Sequence, residues 1–172
     1  SEKEEAEKLL REHHEKIKRL KEESKRINDE NRKRIEELKR RSREINKELE
    51  EKVRRNDKDR KVIEKTLEEI ERKHDELLKD AEDHHRRSEE RHRELEDRVR
   101  KETRKVEDKL RKDGLREDTV KRIEDELKKN LDDLRRVLEK SKDDNRKLLE
   151  DLERELRESK KDARRLLEEV RK

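Results

Sequence analysis

The sequence predicts an all-α fold, an antiparallel up-down-up bundle of three long, nearly straight helices about 80 Å in length. Three observations predict it. Strong helix formers (Glu, Lys, Arg and Leu) dominate a chain with no proline and a single glycine. Inward-facing positions recur at the α-helical period in separate segments. Polar residues at those positions also fall into register across all three segments.

The breaks fix the elements in order. Ser1-Glu2-Lys3-Glu4 has the Ser-x-x-Glu form of a capping box, so the first helix starts near residue 2. Asn56-Asp57-Lys58-Asp59 supplies an asparagine suited to a helix end and two candidate N-caps for the next helix. Gly114, the only glycine, reads as a left-handed terminator in Lys112-Asp113-Gly114-Leu115. Asp118 or a neighbour is then expected to cap the third helix. The helices are therefore placed near 2–55, 58–112 and 117–172, within one domain spanning 1–172. Equal lengths and short connections suit antiparallel neighbours.

In the first segment the seam runs through positions 6, 10, 13, 17, 20, 24, 28, 31, 35, 38, 42, 46, 49 and 53, or 47 residues in 13 steps. The second runs through 63, 67, 70, 74, 77, 81, 85, 88, 92, 95, 99, 103, 106 and 110, again 47 residues in 13 steps. A strict heptad would impose a left-handed supercoil; this longer period describes helices that stay nearly straight.

Polar residues interrupt the seam at matched heights. If the first and third helices are parallel, partners differ by a constant; if the first and second are antiparallel, partners have a constant sum. A difference of 117 and a sum of 116 give four layers: His13–Thr103–Asn130, Ser24–His92–Ser141, Asn28–Ser88–Asn145 and Ser42–His74–Ser159. Asn31 and His85, with Leu148, form a fifth candidate. The same constants align Ala6–Leu110–Ile123, Leu10–Val106–Leu127, Ile17–Val99–Leu134, Leu49–Leu67–Leu166 and Val53–Ile63–Val170. A lone buried Asn or Ser is costly, whereas donors and acceptors gathered in one layer satisfy each other and penalise slipped registers. Asn46 falls opposite Ile70 and Ala163, so Thr66 or water is its expected partner.

Charge excludes several functions. Asp, Glu, Lys and Arg make up 65% of the chain, but the 58 basic and 54 acidic residues nearly cancel. Basic runs are flanked by acids at i,i+4 spacing, as in Glu30/Arg34 and Glu89/Arg93, which marks a solvated helix face and not a nucleic-acid surface. No stretch is apolar enough for a signal peptide or membrane span, so a soluble chain with no membrane partner is expected. Cysteine is absent, so no disulfide or thiol chemistry is available.

The six histidines invite a metal reading. His85 and His92, however, stand about 10 Å apart along a helix axis, too far to share one ion. Ser24 and His92 with a nearby carboxylate resemble a nucleophilic triad. A thin closed bundle offers no substrate cavity and no oxyanion site. No catalytic residue, metal site, cofactor or small-molecule substrate is therefore expected.

The polar triads, the saturated Glu/Lys/Arg surface, the lack of Pro, Met, Cys and aromatics, and the minimal turns resemble de novo designed, parametrically generated helical bundles with buried hydrogen-bond networks. The resemblance covers the whole chain and implies a structural scaffold with no inherited activity. Spectrin-like repeats share the three-helix plan but are shorter and usually carry aromatic core residues. Single solvated helices share the charge content but lack an inward seam. The alternative function is a pH-responsive or self-assembling module built on the buried histidines. A monomer is expected. Apolar doublets such as Leu9-Leu10 and Leu166-Leu167 leave a homo-oligomer as the other possibility.

Overall fold

The computed structural model describes residues 1–55 and 59–171, with side chains through residue 169. Among these residues lie α1 (Glu2–Arg55), α2 (Arg60–Lys112) and α3 (Glu117–Arg171), and no strand. Most of the expected Asn56–Asp59 turn lies outside the described residues, as does the Val170 side chain of the terminal apolar triad.

The caps explain where the helices begin. The Ser1 hydroxyl accepts from the Glu4 amide at 3.4 Å, while the Glu4 carboxylate pairs with the terminal ammonium at 3.7 Å. Asp59 caps α2 by accepting from the Val62 amide, so α2 starts at Arg60, two residues later than expected. The cap of α3 is of another kind. Arg116 occupies the capping position, its carbonyl accepting from the Val120 amide, and its own amide donates to the Glu2 carboxylate of α1 at 2.5 Å. Asp118 instead sits in the first turn, where its charge complements the helix dipole. Gly114 ends the α2 connection with φ +63°, the left-handed conformation that only glycine adopts without strain.

The chain divides into two compact units, Ser1–Asp29 with Ser88–Asp144, and Glu30–Arg87 with Asn145–Lys172. In the first unit, α1 contacts run against α2, with Lys16 on Glu102 and Glu23 on Arg98. They run with α3, as Lys21 on Asp133 and Ser24 on Ser141. Its core has two clusters: Ala6, Leu9, Leu110, Ile123 and Leu127; and Ile17, Leu20, Ile27, Leu95, Val99, Leu134 and Leu138. The second unit repeats the directions, with Arg34 on Asp80 and Glu48 on Lys73 against α2, and Lys39 on Asp151 along α3. Its clusters are Ile35, Leu38, Leu77, Ala81, Leu152 and Leu156; and Leu49, Val53, Ile70 and Ala163.

Each fully buried Leu or Ile contributes about 1.5–3 kcal/mol by leaving water. Aliphatic burial therefore carries the fold. The surface ion pairs contribute only about 0–1 kcal/mol each.

Most buried positions of α1 recur after eighteen residues, which is five helical turns. Ala6, Ser24 and Ser42 are one such series, and Ile17, Ile35 and Val53 another. In the doublets the structure buries Leu9 more deeply than Leu10, and Leu167 more deeply than Leu166. The shallower member of each, Leu10 or Leu166, packs half-buried on the cluster's flank, and no large hydrophobic side chain is exposed among the described residues.

Candidate functional site

The polar layers take the side chains of His13, His74 and His92 out of water, and each layer can be built from its helix outward. In the first unit, His92 and Ser24 are fully buried and Ser141 nearly so. The His92 Nδ1 donates to the Ser88 carbonyl of the preceding turn at 2.7 Å. A carbonyl can only accept, so Nδ1 carries the proton and Nε2 is left as an acceptor. The Ser24 hydroxyl therefore donates to His92 Nε2 at 3.2 Å, and the Ser141 hydroxyl donates to Ser24 at 2.9 Å. The result is a directed chain from α3 through α1 to α2.

His13 takes the opposite tautomer. The Asn130 amide nitrogen donates to His13 Nδ1 at 3.5 Å, so the proton sits on Nε2, which donates to the Thr103 hydroxyl at 3.3 Å. The structure brings all three members of this layer together.

In the second unit, the Ser42 and Ser159 hydroxyls lie 3.1 Å apart. His74 donates from Nδ1 to the Ile70 carbonyl at 2.9 Å, as His92 does to Ser88. Its Nε2 is buried without a partner in the protein. The layer thus has the residue types of Ser24–His92–Ser141 but lacks the serine–histidine bond.

The asparagine layers depart from the expected pairing. Asn145 accepts from Asn31 Nδ2 at 3.0 Å, so its partner is Asn31 and not Asn28. Ile27 takes the core position and leaves Asn28 half-buried at the edge, with Oδ1 lacking a protein partner. Residues 28 and 31 are less than one turn apart, close enough for a long amide to switch layers. Asn31 Oδ1 and Asn46 Oδ1 are also buried without protein partners. Thr66, the partner considered for Asn46, donates instead to the Val62 carbonyl at 2.7 Å. His85 is half-buried and Ser88 buried, and the Ser88 carbonyl serves His92.

Burial sets the electrostatics. Desolvation holds His13, His74 and His92 below the usual histidine value. Nearby cations add to it: Lys16 at His13, Lys160 at His74 and Lys142 at His92. The carboxylates Glu102, Asp75 and Glu96 oppose the shift without reversing it. His84, half-buried beside Arg34, is lowered for the same first reason. At the surface, the Lys16 hydrogen bond holds the Glu102 carboxyl below its ordinary value. Arg34 reaches Glu37 and, across to α2, Asp80.

Chemically, these layers exchange hydrogen bonds internally. Ser24 and His92 have no exposed surface, so an external substrate has no approach to that pair. Among the described residues, no group of three or more His, Cys, Asp or Glu is placed to hold a metal ion. No helix among them is long and apolar enough to cross a membrane.

A solved structure described as a computationally designed three-helix bundle aligns over 99% of this chain and 90% of its own, with TM-score 0.70 and 16% identity. The fold is a three-helix bundle. At that identity the likeness is one of architecture alone. No protein-family model and no curated protein matches the chain.

The roles of the Ile70 and Ser88 carbonyls, and of Glu2 at the Arg116 amide, were missed in the sequence. Backbone acceptors leave no residue signal, and the Glu2 contact depends on how tightly the Gly114 turn folds back.

Proposed function

We propose that the chain is a designed structural scaffold whose buried polar layers set helix register, with no catalytic activity. The observation that carries this reading is the chain from Ser141 through Ser24 and His92 to the Ser88 carbonyl. Each hydroxyl and ring nitrogen in it has a partner within the chain, which is what a register-setting layer requires and what a catalytic site, with a group held open for substrate, would not have. The designed three-helix neighbour supports the same reading. The coverage of large apolar side chains supports a monomer.

The test replaces Ser24, His92 and Ser141 together by Leu. The variant is expected to stay helical and at least as stable, but to lose a single set of sharp amide NMR signals as slipped registers become populated. A sharp, unchanged spectrum would remove the register role. Light scattering should give the mass of one 21.5 kDa chain; a dimer mass would favour the self-assembling alternative.

A second reading is supported by the three buried histidines whose charged forms are disfavoured. It makes the bundle acid-responsive, with protonation loosening the layers.

A further inference from the structure

The connection from α2 to α3 places an aspartate directly before the only glycine, as Asp113-Gly114. Both residues are exposed. Asp113 donates its own amide to the Lys109 carbonyl at 3.0 Å, which closes the last turn of α2. Beyond that bond the pair is unrestrained. Among the described residues the Asp113 carboxylate has no ion pair or hydrogen bond, and neither the Asp113 carbonyl nor the Gly114 amide takes part in one. Gly114 has no side chain, and nothing lies within 4 Å of where one would stand. The peptide between the two residues can therefore turn without breaking a hydrogen bond, and water reaches it freely.

This combination opens the Asp113 side-chain carboxyl to the Gly114 amide nitrogen. The nitrogen and Cγ are joined through the carbonyl carbon, Cα and Cβ of Asp113, so a bond between them closes a five-membered ring. Elsewhere the same attack is blocked. Asp80-Ala81 and Asp162-Ala163 also put a small residue after an aspartate, but the receiving amide lies inside α2 or α3. Both alanines are buried, and the helix ladder holds their amides except in locally opened states.

We propose that Asp113-Gly114 is a site of spontaneous covalent modification, at which Asp113 converts to isoaspartate through a cyclic imide. The Gly114 nitrogen bonds to Cγ of the protonated Asp113 carboxyl, and the carboxyl hydroxyl leaves with the amide proton as water. Water then opens the ring. Addition at Cγ restores aspartate. Addition at the backbone carbonyl carbon leaves the chain running through Cβ and Cγ, with the α-carboxylate free. The product has the same mass and one more backbone carbon, three residues before the Arg116 amide that Glu2 holds.

The experiment incubates the folded protein at pH 6 and 37 °C and follows isoaspartate by peptide mapping with electron-transfer fragmentation, which distinguishes the isomers. Isoaspartate at position 113 is expected to accumulate about tenfold faster, or more, than at Asp80 or Asp162, whose following amides are protected. Its rate should match that of the free peptide Arg111–Arg116. Gly114→Ala, which sets a Cβ beside the attacking nitrogen, should slow it; if that variant fails to fold, the comparison of Asp113 with Asp80 and Asp162 decides. Equal accumulation at all three aspartates, none at position 113, or a rate unchanged by Gly114→Ala would overturn the site.

Discussion

The Ser24 hydroxyl oxygen lies 3.2 Å from His92 Nε2, and the direction of that bond is fixed by the far side of the ring. With Nδ1 committed to the Ser88 carbonyl, Ser24 has to donate, and so has to accept from Ser141. One backbone carbonyl thereby orients hydroxyls on two other helices.

Removing the middle of this chain should be costly. Ser24→Ala strands His92 Nε2 and the Ser141 hydroxyl, and should destabilise by about 1–3 kcal/mol. Ser42→Ala removes only the bond to the half-buried Ser159 and should cost about 1 kcal/mol or less. Urea unfolding of the two variants compares them directly. Equal losses would mean that the His92 bond adds nothing.

The asparagine pair makes a second contrast. Asn31→Ala should cost about 1–3 kcal/mol because Asn145 Oδ1 loses its donor while buried. Replacing Asn31 and Asn145 together by Leu should cost much less, or stabilise. Asn28→Leu, which removes an oxygen with no protein partner, should be neutral or stabilising. A double-mutant cycle on Asn31 and Asn145 should give a coupling that vanishes when Asn28 is substituted for either one.

Acid should weaken the fold. His13, His74 and His92 have folded pKa values below the unfolded reference of about 6.5, chiefly through burial. The unfolded chain then binds more protons. Stability is fully present above that reference and falls as pH drops through it toward the folded values. The facing groups are Lys16, His14 and Glu102 at His13; Lys160 and Asp75 at His74; and Lys142, Glu96 and Arg91 at His92. Chemical denaturation at pH 7.5 and pH 5 should find the protein less stable at pH 5. Greater stability at pH 5 would show that the carboxylates in these sets outweigh burial.

Gly114 gives a backbone test. At φ +63° with nothing within 4 Å of an added Cβ, Gly114→Ala meets conformational strain alone. The expected cost is about 1–2 kcal/mol, and Gly114→Asn should cost less. Thermal melts of the two variants should rank them in that order.

The helices and their directions were legible because composition, period and breaks all point the same way. Ser24, His92 and Ser141 were placed together by register arithmetic alone, since short side chains at one height can meet only each other. Asn28 and Asn31 were not resolved. They are nearly a turn apart, both carry long amides, and the apolar Ile27 competes with Asn28 for the core, which the seam count ignored. The missing bond at His74 was invisible for a related reason: its layer has the same residue types as that of His92, and residue type alone does not bring a ring nitrogen against a hydroxyl.

The eighteen-residue recurrence of buried positions has a consequence for length. Five whole turns return a helix to its starting face, advanced by about 27 Å. A segment of that size added to each helix would keep every inward side chain inward, whereas seven residues, two turns of a supercoil, would rotate a straight helix by about 20°. The protein can therefore be lengthened or shortened in fixed quanta of five turns, as a ruler is cut between its marks.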